Sequence, residues 1–425
     1  MEEKQLNPVG NCSDAVTNKE TKLNLISLII IIGFAGAVFY HYIHGVYLGE
    51  NYPHNTFLFL PIDRFNDFYH PLNQTTGLDP YFCNYLFHSN YYPFIHLLLY
   101  PLTFLKPSIA FLIFNLAAYV PIVIIVARFT RCNNILDHVR YIFTFAFLTY
   151  PIQFTFDRGN VESIMLVMMF LFLCCFEKHE KLSSLALSAA IAIKAFPAVF
   201  LSLLISARRY KSVVLVVFYA VIITTISMAL LKGGLIKNAG YFINHVGAVN
   251  TSQMIQANAL VQRGVSLYTL IKIVLIKFGL IGSVNIGQLL AIYSYMAFAL
   301  FIGLSIYLYK VNLKLWEKVF LLVSIMLLFP HLSADYKLLY LYLPLALFIN
   351  EKNSDKFDIT YSILFALLLI PKDYRMLRGI VSDAGTSDIS IAVVINILIL
   401  VIMSIVIIVR GISKNQDIKC SDLSA

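Results

Sequence analysis

The chain has 425 residues, of which 59% are hydrophobic and only 13% charged, whereas a soluble domain carries about 25% charged residues. A soluble globular domain is thereby excluded, and apolar runs recurring from end to end define an all-α polytopic membrane protein with a single membrane-embedded domain. The formal net charge of +9 falls in short clusters between apolar runs, the pattern of cytoplasmic loops on anionic lipid rather than of nucleic-acid binding.

Residues 1–22 are polar and are expected to be a disordered tail. The first crossing is read at 23–43; it begins too late and lacks the small-residue cleavage site of a signal peptide. Residues 44–90 follow with Arg64 as their one Lys or Arg, which places them outside the cytoplasm. Their Tyr and Phe content predicts short helices on the membrane surface rather than a free linker. Two apolar runs, 92–105 and 108–127, are hinged at Lys106-Pro107. Runs 141–156 and 161–176 are separated by Asp157-Arg158-Gly159-Asn160. Run 182–205 is interrupted by Lys194 and Pro197, and Arg208, Arg209 and Lys211 mark a cytoplasmic loop before the crossing at 213–231.

Residues 232–286 form a second extracytoplasmic loop. Within it, 266–281 is apolar but holds Lys272 and Lys277, and a lysine at mid-bilayer costs about 2.5–3.5 kcal/mol, so this segment is expected in the interface. Crossings at 287–309, 315–330, 334–349, 358–371 and 389–410 complete a count of about 12, with both termini cytoplasmic and 411–425 a cytoplasmic tail. In this scheme Arg128, Arg131 and Arg140 face outward, against the charge rule, and Asp157–Asn160 lies nearer the inner face.

The six cysteines (Cys12, Cys83, Cys132, Cys174, Cys175 and Cys420) lack ligand spacing, so neither a zinc site nor a disulfide framework is expected. Charges inside apolar sequence are costly and usually functional. They occur at Asp63, Arg64, Asp67 and His70 in FLPIDRFNDFYH; at Asp157, Arg158 and Asn160, with Glu162 one step on; at Lys194 in AIKAFP; and at His331, Asp335 and Lys337 in FPHLSADYKLLY. Each has a plainer reading: a solvated pair at Asp63-Arg64, a capped helix break at 157–160, a snorkelling Lys194, a simple connector at 331–337. Together they supply acids in a wet loop and cations near membrane depth. That set suits sugar transfer from a lipid-linked phosphate. A carboxylate takes the acceptor's proton, cations stabilise the departing phosphate, and no dedicated general acid is needed.

Several motifs, in order, resemble glycosyltransferase family 87, of the GT-C class that uses polyprenyl-phosphate sugars. They are NDFYHPL with Asp67, NYYPFIHLLLYPLTFL with Tyr92-Pro93, DRGNVESIMLVMMFLF with Gly159-Asn160, a lysine-proline break at Lys194 and Pro197, and PHLSADYKLLYLYLPLAL. The sequence departs from the family's usual pattern at Tyr92-Pro93-Phe94 and at Ala334-Asp335. The resemblance implies a GT-C-like helix bundle with an extracytoplasmic cavity in a cell inner membrane. It implies transfer of a hexose, mannose in much of the family, from a polyprenyl-phosphate donor to a glycolipid or polysaccharide acceptor, with inversion. Asp67 is the implied base, with Asp63 in reserve. Arg64, His70, Arg158, Asn160, Lys194, His331, Asp335 and Lys337 are candidates for binding donor phosphate or substrate. No metal ligands are assigned and no cofactor is required, although a divalent metal is compatible. Two other readings stand beside it: a flippase for lipid-linked saccharides, which repeat symmetry would favour, and a surface-polysaccharide polymerase or ligase, which a large late outer loop would favour.

Overall fold

The computed structural model describes residues 10–82, 89, 91–246, 261–382 and 385–424. Its helices are α1 (Gly10–Tyr42), α2 (Asn66–Thr75), α3 (Pro93–Leu99), α4 (Pro107–Phe129), α5 (Ile135–Phe143), α6 (Tyr150–Arg158), α7 (Glu162–Cys175), α8 (Glu180–Ile193), α9 (Leu201–Ser206), α10 (Tyr210–Leu230), α11 (Gly234–Tyr241), α12 (Leu267–Lys277), α13 (Ile286–Lys310), α14 (Leu315–Leu328), α15 (Tyr342–Ile349), α16 (Asp358–Leu369) and α17 (Ile391–Ser424). One antiparallel hairpin, β1 (Arg375–Ser382) and β2 (Gly385–Ser390), pairs Arg375 with Ser390. The chain is an all-α membrane protein in every other respect.

Among the described residues, five helical stretches are long and apolar enough to cross a membrane: Thr17–Tyr47, Pro107–Phe129, Tyr210–Leu230, Ile286–Lys310 and Ile391–Asn415. The expected count of about 12 is therefore not met by long helices. The other apolar runs fold as shorter or broken pieces, several started by a proline at the first helical turn, where its missing N–H costs nothing, as at Pro93, Pro151 and Pro197. The tightest core is built on α14 and the segment 338–349, buried almost throughout. The outer face of α13 is bare of protein, with Ile292, Met296, Phe298 and Leu300 exposed, as lipid contact requires.

Polar contacts sort the chain into two ends. At the start of α1, Lys22 pairs with Asp358 at 3.1 Å, Lys19 donates to Asn350 at 2.9 Å, and Asn24 accepts from Arg140 at 2.6 Å and Tyr141 at 2.8 Å. Arg410 joins Asp355 close by. The loop after α1 lies at the opposite end, where Phe65 N donates to Asp157 O at 2.9 Å. The segment from Ile135 to Arg158 thus runs from the first end to the second, alongside α1, with Ser27 and Thr144 bonded midway at 3.1 Å.

Two expectations are corrected. Arg140 sits with Lys19 and Lys22, and Arg128 and Arg131 border one hollow with His138; this loop belongs to the basic end, while Asp157–Asn160 lies beside the first loop. The error arose at 92–105, which is α-helical over seven residues only and continues as 3₁₀ helix, about 10 Å of α-helix where a crossing needs about 30 Å. Second, the tail is helical from Gly10, and Lys22, expected in disorder, is buried by its pair with Asp358. Residues 411–424, the expected tail, continue α17 as helix.

Candidate active site

The site is assembled where the first loop meets the α6–α7 turn. Gly159 ends α6 with φ +64°, and a Cβ there would stand 2.9 Å from Phe68 Cβ. Only glycine combines that backbone with that approach. The turn lets Asp157 hold the loop. Its Oδ2 accepts from Phe59 N at 2.9 Å, its Oδ1 meets Arg64 Nε at 2.9 Å, and its backbone carbonyl takes Phe65 N. Phe65, in the left-handed region at φ 62°, turns the chain into α2, which presents Asp67 in its first turn. An acid there is favoured by the partial positive charge of the helix start.

Asp67 is clamped from the other side of the turn. Arg158 Nη2 donates to Oδ1, Arg158 Nε donates to Oδ2 at 3.2 Å, and Asn160 Nδ2 donates to Oδ2 at 2.6 Å. The arginine fork is the geometry that best fixes a carboxylate. Tyr336 hydrogen-bonds Asn160 in turn. Ionised, the carboxylate offers about four acceptor directions; among the described residues the two contacts on Oδ2 fill that oxygen and Oδ1 keeps one direction open.

A second charge pair adjoins it. Glu162, fully buried, accepts from Lys194 Nζ at 2.6 Å and from Tyr340 Oη. Lys194 is where α8 stops: its backbone is extended and the chain restarts as 3₁₀ helix at Phe196-Pro197. The Lys194 ammonium faces the Tyr91 ring at 5.8 Å. Lys337 is buried nearby, over the Phe196 ring at 4.7 Å, and donates to Leu332 O at 3.3 Å. Among the described residues no carboxylate stands within 4 Å of its ammonium.

A third cluster backs the first loop. Arg263 Nη2 pairs with Asp373 Oδ2 at 3.0 Å and donates to Leu58 O at 2.8 Å. Arg375 closes on Asp373 at 3.1 Å. Arg263 Nη1 reaches Tyr150 Oη at 3.2 Å, which donates to Asp335 Oδ2 at 2.6 Å. Phe59 lies between the guanidinium groups of Arg158 and Arg263, 4.1 and 5.4 Å from its ring centre, so the two clusters share one wall.

Of the residues singled out from sequence, Asp67, Arg158 and Asn160 are in direct contact, and Lys194 and Lys337 lie beside them. Asp335 belongs to the Arg263 cluster. Arg64 is spent on Asp157, and His70 is exposed. His331 is elsewhere, bonded to Ser294 at 2.9 Å and packed on Tyr268 and Tyr293. The side chain of Asp63 lies outside the described residues. Glu162, noted as a costly charge, was given no role, and Tyr336, Tyr340, Arg263 and Asp373 were missed. Arg263 and Asp373 carry no local signal, since only the fold joins them.

A helical membrane protein with a fixed carboxylate, buried cations and aromatic walls has the parts of a lipid-substrate transferase. The sequence model of glycosyltransferase family 87 matches residues 87–330, more than half of the chain, and the chain belongs to that family. The matched region includes Arg158, Asn160, Glu162 and Lys194 but stops short of Asp67 on one side and Lys337 on the other. No curated protein and no solved structure matches the chain.

Proposed function

We propose that this glycosyltransferase moves a hexose, mannose by family precedent, from a polyprenyl-phosphate donor to a hydroxyl of a glycolipid or polysaccharide acceptor, with inversion. The observation that carries this is the clamped Asp67 carboxylate, with one acceptor direction open on Oδ1, near the Glu162–Lys194 pair, next to which Lys337 is buried with no carboxylate partner within ion-pair distance, both absences holding among the described residues. Asp67 Oδ1 takes the acceptor's proton as its oxygen attacks the anomeric carbon. The bond from that carbon to the phosphate oxygen breaks on the opposite face, and the lipid phosphate leaves with the electron pair. Lys337 and Lys194 balance the charge on that phosphate. Arg158, engaged by Asp67, holds the base rather than the phosphate. An apolar cavity of about 240 Å³ lined by Leu267, Ile292, Met296 and Phe329 suits part of an isoprenoid chain. The site opens on the extracytoplasmic side of a cell inner membrane, and no step calls on a cofactor.

The test uses membranes holding the wild-type chain or Asp67→Asn, supplied with radiolabelled polyprenyl-phosphate mannose and then other hexoses. Label entering lipid or polymer with wild type and not with Asp67→Asn, at equal amounts of inserted protein, supports the reading. Undiminished transfer by Asp67→Asn removes Asp67 as the base. Absence of transfer from every donor, with lipid-linked sugars changing leaflet instead, replaces the donor chemistry with flipping.

A further inference from the structure

The mechanism leaves unused a group of chelating side chains at the exit of α1. His44 Nδ1 stands 2.6 Å from Glu50 Oε2, and His54 Nδ1 approaches the same oxygen at 3.6 Å. One ligand atom from each of His44, Glu50 and His54 lies within 4.8 Å of the others. The three are half-buried, with side-chain exposures of 18%, 37% and 22%. A hydrogen bond from His44 to Glu50 accounts for two of these groups. It does not account for a second imidazole turned to the same oxygen, its ring stacked on the first with centroids 6.1 Å apart.

The surroundings hold these ligands in place. The helix widens into a π turn over Ile43–Tyr47, which carries His44 round to the returning loop. Gly45 lets the loop close in, since a Cβ there would sit 3.0 Å from Asn55 Cβ. His41 bonds the carbonyl of His54 at 2.7 Å, and Glu50 N donates to His44 O at 2.9 Å. Tyr40 packs on the His44 ring at 4.2 Å. A separate observation points to a metal. The other nitrogen of His54, Nε2, lies 3.7 Å from Asp388 Oδ2 on β2. A carboxylate behind a ligating imidazole is the usual outer support of a metal-bound histidine, fixing its tautomer and raising its basicity.

We propose that His44, Glu50 and His54 bind a divalent transition metal, zinc by ligand chemistry, with Asp388 supporting His54 from behind. Two imidazole nitrogens and one carboxylate suit zinc and exclude magnesium or calcium, which take oxygen ligands. At metal–ligand distances of about 2.0–2.1 Å, tetrahedral ligand atoms lie about 3.4 Å apart. Shifts on the order of an ångström would meet that from the present positions. Water fills the fourth position. The metal would clamp the first loop to α1 and, through Asp388, to the hairpin that carries Arg375. These residues lie outside the matched family region, residues 87–330. The cysteine spacing gave no zinc site, and two histidines and a glutamate spaced as His44, Glu50 and His54 form no familiar motif; the π turn brings them together.

The experiment takes the full-length protein in detergent, its purification tag removed and its metal stripped by chelator, and titrates it with Zn²⁺, Co²⁺ or Mg²⁺ alone. Expected are one zinc per chain after gel filtration, visible d–d absorption with cobalt, no displacement by magnesium, and a zinc-dependent rise in melting temperature. His44→Ala and His54→Ala abolish all of these, Glu50→Gln weakens them, and Asp388→Asn keeps the stoichiometry with about 10–100-fold weaker binding. His179→Ala, at an exposed site remote in sequence, changes nothing. Gel-filtration profile in the absence of metal reports folding for each variant. Substoichiometric zinc in the wild type, or equal binding by the well-folded His44→Ala/His54→Ala double variant, overturns the proposal.

Discussion

Asp67 carries opposing demands. As the proposed base it must be fixed by the Arg158 fork, yet each hydrogen bond that fixes it occupies a lone pair the acceptor hydroxyl could use. The remaining acceptor direction on Oδ1 keeps it competent, because the acceptor hydroxyl needs only one lone pair. A positioned base contributes roughly 10²–10⁴-fold, so Asp67→Asn is expected to lower the transfer rate by about that factor. Arg158→Lys loses the fork while keeping the charge, and its expected loss is smaller, in turnover more than in donor affinity. If Arg158 acts through Asp67, adding Arg158→Lys to Asp67→Asn changes the rate no further; a multiplied loss in the double variant would give Arg158 a task of its own. Gly159 has a different vulnerability. Alanine there is strained at positive φ and meets Phe68, a cost of about 1–3 kcal/mol. Gly159→Ala should lower the melting temperature and release Asp67 together, whereas Asp67→Asn should spare the fold.

At the scale of elements, the sequence was legible wherever a costly residue sat in oil. Lys194 and Pro197 mark a real break, Gly159-Asn160 a real turn, and both meet the loop that holds Asp67. Hydropathy could not separate a crossing from an equally apolar piece too short to cross. The run at 92–105 therefore inverted the reading of Arg128–Asn160. The Arg263–Asp373–Arg375 cluster was illegible for another reason: its members come from distant, individually ordinary stretches, and the hairpin brings them together. Lys372 leads into that hairpin, buried, and among the described residues its acceptors are the carbonyls of Leu368 and Ile370 at 3.4 and 3.1 Å. Burial pulls its pKa down to about 7, against about 10.4 in the unfolded chain. Between those values the unfolded chain binds more protons, so stability rises with pH across that window. Below about 7 the full penalty of the buried charge remains. Lys372→Met is expected to raise the melting temperature at neutral pH and to flatten its rise toward alkaline pH. A parallel pH dependence in both proteins would assign the rise to other groups.

For the molecule as a whole, the two polar ends differ in kind. At the start of α1 the cations are many and solvated: Lys178, Lys181, Arg208, Lys310, Lys352 and Lys356 are exposed. At the Asp67 end several cations are spent in contacts that bury them wholly or in part, Arg158 on Asp67, Lys194 on Glu162, Arg263 and Arg375 on Asp373, and fewer are exposed, Lys232 and Lys237 among them. Orientation in a membrane follows the free positive charge of short loops, which is retained in the cytoplasm; paired and buried cations belong to a site instead. The start of α1 should therefore face the cytoplasm and the Asp67 site the far side, where the proposed lipid-linked donor would meet its acceptor. The same assignment returns Arg128, Arg131 and Arg140 to the side the charge rule demands. In a background freed of its native cysteines, His70→Cys is expected to react with an impermeant maleimide on intact cells, and Lys356→Cys only after permeabilisation. Both positions are exposed, so reactivity reports sidedness rather than burial. The reverse pattern would put the carboxylate centre in the cytoplasm, where soluble nucleotide sugars become the natural donors and an isoprenoid phosphate loses its advantage. Labelling of both from one side would mean that the two ends are not separated by a membrane.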